Sequence, residues 1–167
     1  KRQRTAQVAA RLRELGNVTP LISIEGLETV SDERRGGRGV FSATLEGLAN
    51  CRREGLITGV ATSVCQSNLA DLASEGFARR LVGLGVHYLW YYLYRPVGPR
   101  PCPELALNRE QVLQLRRFIV DLRSRIPLLI VDAGVKTGIR IRYEDPRAVG
   151  ADRNTLSRTG LTIIRDR

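Results

Sequence analysis

Two hydrophobic periods alternate along residues 1–133. Segments with an apolar residue every three or four positions are typical of amphipathic helices, and each is followed by a short, nearly continuous apolar run typical of a buried strand. The predicted helices cover residues 6–15, 40–54, 77–84 and 112–125, and the predicted strands cover 18–25, 56–64, 86–94 and 127–132. Four successive helix-then-strand units predict a parallel sheet covered by helices.

The ends of these helices carry recognisable stop and start signals. Gly16, Gly55 and Gly85 each follow a predicted helix, where a left-handed C-cap favours glycine. Asn108 and Gln111 have the spacing of a capping box before the fourth helix. The units recur about every 30–40 residues, as in α/β barrels. The alternative fold is an open doubly wound sheet. The sequence favours it less, because no G-x-G-x-x-G sequence follows a predicted strand.

Polar residues collect where the predicted strands end. The first strand ends in Ser23, Glu25 and Gly26. The second strand ends in a polar group formed by Thr62, Ser63, Gln66, Ser67 and Asn68. The third strand ends in a turn that contains Arg95, Pro96 and Gly98. In barrels and open sheets alike, the carboxyl ends of parallel strands form the functional face. Three such strands side by side therefore predict a ligand pocket.

The third strand is rich in aromatic residues. Strand alternation places Tyr88, Trp90, Tyr92 and Tyr94 on one face, and Tyr91 with Leu93 on the other. Most of these rings are expected to pack in the core, and one face must point into the barrel, where a phenol can touch substrate. His87 begins the strand, at the end opposite the functional face, and is interpreted as structural.

Charge and cysteine content narrow the function classes. The formal charge of +10 permits nucleic-acid binding, but the arginines are scattered and not interleaved with aromatic residues, which favours solvated helix faces. Three widely spaced cysteines form no local metal or redox motif. No run of about eighteen apolar residues suggests a membrane span, and the expected location is the cytoplasm.

From about residue 134 the hydrophobic periodicity fades. Residues 134–167 are predicted to be a basic tail, poorly ordered or with short strands at 135–143 and 161–164.

Several linked segments resemble the radical S-adenosylmethionine enzymes. ISIEGLE at residues 22–28 is similar to the family's fourth strand, and DERRG at 32–36 followed by GVF at 39–41 is similar to its D-x-x-R-G…G-x-F segment. Residues 54–68 resemble the fifth strand with its trailing Asn, and 84–98 resemble the sixth with its Pro-x-Gly turn. The resemblance covers about residues 5–133. It implies a partial (β/α) barrel domain at 1–133, with about four parallel strands and covering helices, truncated on its N-terminal side.

The resemblance also implies cofactors and ligand residues. Members use a 4Fe-4S cluster to cleave S-adenosylmethionine to a 5'-deoxyadenosyl radical, which abstracts hydrogen from a substrate that this sequence does not reveal. Here Ser23 and Glu25 would face the cofactor's ribose or amino acid moiety, and Arg35 would clamp its carboxylate, with Arg34 or Arg38 as alternatives. Thr62 and Asn68 would hydrogen-bond the cofactor, although Asn68 could equally cap the next segment. Pro96 and Gly98 would shape the adenine-side turn.

The sequence departs from the family in one decisive motif. The C-x-x-x-C-x-x-C cluster loop and the Gly-Gly-Glu-like segment are absent from it, so it predicts no metal ligand and no catalytic residue. The expectation is a fragment or frame-shifted product that binds no cluster and is inactive alone. The alternatives are a non-catalytic binding or assembly module, which associates with itself or with a complementary N-terminal half-barrel, and a less favoured nucleic-acid-binding domain.

Overall fold

The computed structural model describes residues 2–97, 99–133, 139–143 and 161–165. The chain divides into two compact units, Lys1–Gly134 and Val135–Arg167. The second unit contains the strands β5 (Ile139–Tyr143) and β6 (Leu161–Arg165), which form an antiparallel pair. All the residues predicted to bind a ligand lie in the first unit.

Helices and strands alternate through the first unit. The helices are α1 (Arg2–Leu15), α2 (Glu28–Arg34), α3 (Val40–Arg53), α4 (Leu69–Leu72), α5 (Glu75–Gly83) and α6 (Arg109–Arg125), with a short 3-10 helix at Pro103–Leu105. The strands are β1 (Leu21–Ser23), β2 (Gly59–Val64), β3 (Tyr88–Leu93) and β4 (Leu129–Ala133). None of the helices in the described part of the chain has both the length and the apolar character that a membrane crossing requires.

The four strands form one parallel sheet in the order β1-β2-β3-β4. The order in space is therefore the order in the chain, as the repeated helix-then-strand pattern predicts for a barrel-like sheet. The register pairs Ser23 with Ala61, Ala61 with Trp90, and Trp90 with Val131. Four parallel strands with covering helices confirm the predicted class, a partial α/β barrel.

One face of the sheet makes the hydrophobic core. Alternate residues of the strands point to the helices: Val60 and Val64 of β2, Leu89 and Tyr91 of β3, and Ile130 of β4 are buried there. They join Leu48, Leu72, Leu81, Leu115, Ile119 and Leu122 from the covering helices in one cluster. A second small cluster, Ala9, Cys51 and Leu56, holds α1 against α3.

The other face of the sheet is more exposed. Leu21 of β1 is 44% exposed, Tyr92 of β3 is 37% and Leu129 of β4 is 68%. The two faces of β3 differ as the alternation predicts, because Tyr91 is fully buried and donates its hydroxyl hydrogen to the carbonyl of Leu72, whereas Trp90 and Tyr92 lie together on the second face with ring centroids 5.8 Å apart.

The amino end of this second face is closed by an aromatic ring. A Cβ atom on Gly59 would lie only 2.0 Å from Cε2 of Tyr88, so the Tyr88 ring rests on the bare backbone of β2. The Tyr88 hydroxyl reaches the carbonyls of Thr19 and Pro20 ahead of β1, at 3.3 and 3.2 Å. Nearby, the His87 ring accepts a hydrogen bond from the Thr58 amide through Nδ1, in keeping with a structural role for this residue.

The main differences from the sequence prediction concern element length. Gly16, Gly55 and Gly85 do adopt the positive φ angles of left-handed C-caps, and the capping box at Asn108 and Gln111 forms in both directions. The strands are shorter than the apolar runs that contain them, because pairing begins only where two backbones lie side by side. Two short helices, α2 and α4, follow β1 and β2 and were not among the predicted elements.

Candidate functional site at the carboxyl ends of the strands

The candidate site is centred on Glu25, two residues beyond the end of β1. Its Oε2 atom accepts a hydrogen bond of 3.0 Å from the backbone amide of Ser63, across the gap to β2. Two guanidinium groups face the same carboxylate: Arg34 Nε lies 3.9 Å from Oε2 and Arg35 Nη1 lies 3.8 Å from Oε1. The Glu25 side chain is 12% exposed, so a charge at this rim is fixed in place and still open to a ligand.

Asn68 holds the backbone on both sides of this carboxylate. Its Nδ2 group donates to the carbonyls of Glu25 and Ser63, at 2.8 and 2.9 Å, and its Oδ1 accepts from the Cys65 amide at 2.8 Å. Asn68 is only 1% exposed. Because both hydrogens of Nδ2 are used, the amide fixes the spacing between the ends of β1 and β2 and supports Glu25 from behind.

Arg34 links the rim to the end of the aromatic strand. Its Nη1 donates to Sγ of Cys65 at 3.0 Å, and its guanidinium carbon lies 5.9 Å from the ring centroid of Tyr94. The Nε atom of Arg34 is buried and has no hydrogen-bond partner among the described residues. A buried donor without a partner is costly, and its position beside Glu25 marks a place where a bound oxygen atom would be favourable.

The loop that carries these arginines is anchored by Asp32. Its carboxylate accepts hydrogen bonds of 2.7 Å from the amides of Gly39 and Phe41, at the start of α3. These bonds, with that of Phe41 the largest cause, lower the pKa of Asp32 below its ordinary value of 3.8. The D-x-x-R-G…G-x-F pattern thus has a local explanation: the Asp fixes the turn through Gly39, whose φ is 81°, and so positions Arg34 and Arg35.

The remaining predicted residues occupy different positions around this centre. Ser23 is half-buried at the last position of β1, in register with Ala61. Thr62 is 1% exposed on the helix-covered face of β2, where its hydroxyl donates to the carbonyl of Trp90 at 3.3 Å. Pro96 is exposed beyond the end of β3. Gly98 lies outside the described residues.

The structure therefore joins some of the predicted residues and separates others. Glu25, Arg35 and Asn68 share one network of contacts with Arg34, which the sequence offered only as an alternative to Arg35. Asn68 immediately precedes α4, but its side chain does not cap that helix. Direct contact with the cofactor stays a prediction for every one of these residues: Ser23, Glu25, Arg35, Thr62, Asn68, Pro96 and Gly98.

Sequence reasoning gave no role to three residues of the network. Cys65 lies beneath Arg34 and contacts Ser67 Oγ at 3.2 Å, and Ser31 Oγ accepts from the Glu25 amide at 3.4 Å. Ser63 offers its backbone rather than its hydroxyl. The register could have found it, because two residues beyond the Ser23–Ala61 pair are Glu25 and Ser63, but register is not readable from the sequence.

The described residues do not fit an iron–sulfur cluster. Cys51 and Cys65 are buried, Cys102 is half-buried, and all three are free thiols. Within residues 2–97, 99–133, 139–143 and 161–165, no three His, Cys, Asp or Glu side chains are grouped as metal ligands. S-adenosylmethionine is different: a carboxylate beside two guanidinium groups, one with an orphaned Nε, suits a ligand that carries hydroxyls, an ammonium group and a carboxylate.

Two comparisons with known proteins bear on the fold and on the family to which the sequence is related. The fold resembles the crystal structure of Streptococcus suis SuiB, with a TM-score of 0.64 and 11% identity, over 77% of this chain and 30% of that one. A segment of 66 residues is 33% identical to the Fe-coproporphyrin III synthase of Methanosarcina barkeri, and it covers 40% of this chain and 16% of that enzyme. No protein-family model matches the sequence.

The two likenesses carry different weight. At 11% identity the structural match shows the α/β fold alone. The sequence match, taken with the motifs at residues 22–41, supports a relationship to the radical S-adenosylmethionine enzymes. Because the match spans less than a fifth of the curated enzyme and less than a third of the solved structure, it does not carry their activities to this chain.

Proposed function

We propose that this chain forms the part of a radical S-adenosylmethionine enzyme that holds S-adenosylmethionine at the carboxyl ends of β1 and β2. The observation that carries the proposal is the Glu25 carboxylate, held by the Ser63 amide and facing Arg34 and Arg35. When bound, S-adenosylmethionine supplies the 5'-deoxyadenosyl group for the radical chemistry of such enzymes. The chain's own residues bind and orient that molecule.

Each side chain of the rim has a distinct task in this proposal. Glu25 accepts hydrogen bonds from the ribose hydroxyls or the ammonium group, and its fixed position lowers the entropy cost of binding. Arg35 is 40% exposed and lies 3.8 Å from Glu25, which is too long for a hydrogen bond, so its fork can hold the ligand's carboxylate. Asn68 keeps the two strand ends at the correct spacing.

The first experiment separates binding from cleavage. The chain is treated with iron, sulfide and a reductant, and 5'-deoxyadenosine is measured; we expect none, because the described thiols are not grouped as cluster ligands. Calorimetry with S-adenosylmethionine alone is expected to show binding, which Glu25→Gln weakens about tenfold or more. Glu110→Gln, on the exposed start of α6, is the matched control. Equal affinity in both variants contradicts the proposal, and cluster-dependent formation of 5'-deoxyadenosine contradicts the expectation that the chain is inactive alone.

A second candidate, an assembly module, is favoured by the two outer strands. Leu21 on β1 is 44% exposed and Leu129 on β4 is 68% exposed, and both strands have an outer edge that pairs with no other described strand. Such edges are templates for pairing with a second copy or with a complementary half-barrel. Sedimentation at increasing concentration tests this: we expect self-association that Leu129→Ser weakens, whereas a strictly monomeric chain contradicts it.

A further inference from the structure

The second face of the sheet contains a shallow trough along β2. The residues of β2 that point to this face are Gly59, Ala61 and Ser63, which are all small, and their partners in register on β3 are Tyr88, Trp90 and Tyr92. A row of small residues beside a row of large rings leaves space above the small ones. The five residues from Gly59 to Ser63 are separated by four steps of about 3.3 Å, which gives the trough a length of about 13 Å.

The protein itself places a flat ring in the first part of the trough. The position that a Cβ of Gly59 would occupy lies 2.0, 2.3 and 2.4 Å from three atoms of the Tyr88 ring, so that ring lies directly on the β2 backbone. Beyond it, the trough continues past Ala61 and Ser63 toward the rim. About half of the 13 Å remains, which is the length of one bicyclic ring system.

The walls of this remaining part suit a conjugated ligand. Trp90 and Tyr92 stand beside it, with centroids 5.8 Å apart and planes tilted by 45°. Tyr92 is 37% exposed, so part of its ring is accessible to a ligand. At the rim end, Arg34 lies over the Tyr94 ring and next to Glu25, so the upper end carries two positive groups against one carboxylate.

We propose that the trough between β2 and β3 binds the substrate, and that this substrate carries a planar conjugated ring system of about bicyclic size with an anionic group toward Arg34. The inference rests on the proposed function, because the ring would lie directly below the S-adenosylmethionine held at the rim. Its physical basis is separate: stacking on Trp90 and Tyr92 rather than the charges around Glu25.

The sequence contains one tryptophan, Trp90, so a single indole N–H signal in a nitrogen–proton correlation spectrum reports on this trough. The probe is 2-naphthoate, and the control ligand is the saturated decalin-2-carboxylate, which has similar size and the same charge. We expect 2-naphthoate to shift the Trp90 indole signal by its ring current and to bind about tenfold more tightly than the saturated acid.

Variants locate the binding. Tyr92→Leu keeps an apolar side chain but removes the ring, and is expected to weaken 2-naphthoate binding about fivefold to tenfold; Tyr92→Phe keeps the ring and the affinity within about twofold. Val120→Ser removes an exposed apolar side chain from α6, outside the sheet, and is expected to change nothing. Equal affinity for the two acids, or a loss caused by Val120→Ser, overturns the inference.

The two proposals fail differently. Glu25→Gln is expected to weaken S-adenosylmethionine binding and to leave the naphthoate shift of Trp90 in place, and Tyr92→Leu is expected to do the reverse. If S-adenosylmethionine does not bind while 2-naphthoate still shifts Trp90, the proposed function is contradicted and the trough stands as an aromatic site. If S-adenosylmethionine binds and 2-naphthoate leaves the Trp90 signal unchanged, the trough proposal alone is contradicted.

Discussion

The two ends of β2 and β3 use polar groups in opposite ways. At the amino end, Tyr88 lies on Gly59 and directs its hydroxyl to backbone carbonyls, and His87 accepts from a backbone amide. At the carboxyl end, Glu25 faces two guanidinium groups at distances too long for hydrogen bonds, and Arg34 keeps a buried Nε without a partner.

This difference separates stability from binding. A closed end with satisfied groups stabilises the fold, whereas an end with incompletely satisfied charges sacrifices stability and can recover it from a ligand. Substitutions at the amino end should therefore lower the free energy of unfolding without changing ligand affinity in the molecules that remain folded. Substitutions at the carboxyl end should fall into two groups. Those of residues that hold the strands together should lower both stability and ligand affinity, and those of residues that only contact the ligand should lower affinity alone.

The largest loss of stability is expected at the amino end, for Gly59→Val. The new side chain collides with the Tyr88 ring, whose atoms already lie 2.0–2.4 Å from a Cβ position, and overpacking of this kind costs about 3 kcal/mol. Urea unfolding measures the loss. Gly76→Ala, where nothing lies within 4 Å of the added Cβ, is the control and is expected to be neutral or stabilising.

A second substitution tests whether the ring is the cause. Removing the ring with Tyr88→Ala should restore part of the stability lost by Gly59→Val, although the Tyr88→Ala change has its own cost. If the double variant is as unstable as the sum of the two single variants, the collision is not the cause.

The next effect concerns Asn68 at the carboxyl end. Asn68→Ala leaves two carbonyls and one amide without their partner, and is expected to lower the free energy of unfolding by about 2 kcal/mol. It should also weaken S-adenosylmethionine binding, because Glu25 loses its support. Ser74→Ala removes the side-chain cap of α5, costs about 1 kcal/mol and should leave binding unchanged. Unchanged ligand affinity in folded Asn68→Ala would show that this residue serves the fold alone.

Arg34 should show the reverse behaviour. Arg34→Met removes the Nε donor without a partner together with the Cys65 contact, while Glu25 keeps the Ser63 amide and Arg35, so we expect a loss of stability of about 1 kcal/mol, smaller than that of Asn68→Ala. Ligand affinity should nevertheless fall clearly. Arg38→Met, on the exposed part of the same loop, is the control. A loss of stability as large as that of Asn68→Ala would place Arg34 among the residues that hold the strands.

The smallest effect is a pH dependence from Asp32. Since hydrogen bonds from Phe41 and Gly39 lower its pKa in the folded state, its stabilisation is present above its ordinary pKa of 3.8 and is lost as the pH falls through the lowered value. Asp32→Asn should be less stable than the original near pH 7, and the two should converge below pH 3.8. Acid titration of the unfolding midpoint measures this, with Glu104→Gln on the exposed surface as the control.

The sequence predicted what depends on local signals. The helix-then-strand order, the C-cap glycines and the Asn108 capping box are all encoded within a few neighbouring residues, and the structure contains them. The site was predicted less completely, because it depends on register and on which way each side chain turns. Thr62 and Ser63 are adjacent in sequence, yet the hydroxyl of Thr62 points to the covered face while the amide of Ser63 meets Glu25.

The choice between neighbouring arginines shows the same limit. Arg34 and Arg35 both lie near Glu25, but Arg34 is the more buried because α2 turns it toward Cys65 and Tyr94. The helix α2 was not predicted, so its geometry could not be used to rank the two arginines. Tertiary contacts determine which arginine is the more buried, and these contacts cannot be predicted from a local sequence pattern.

The strand order β1-β2-β3-β4 also bears on how the chain reaches its fold. Each strand lies next to the one synthesised just before it, so every new helix–strand unit finds its neighbour already in place as the polypeptide leaves the ribosome. No strand must wait for a partner beyond the neighbouring unit, although each parallel pairing still joins residues about 30–40 positions apart and is therefore slower to form than a hairpin. In a sheet of this kind each new strand pairs at one edge, so a further strand could pair with β4 without changing the pairing of β1, β2 and β3.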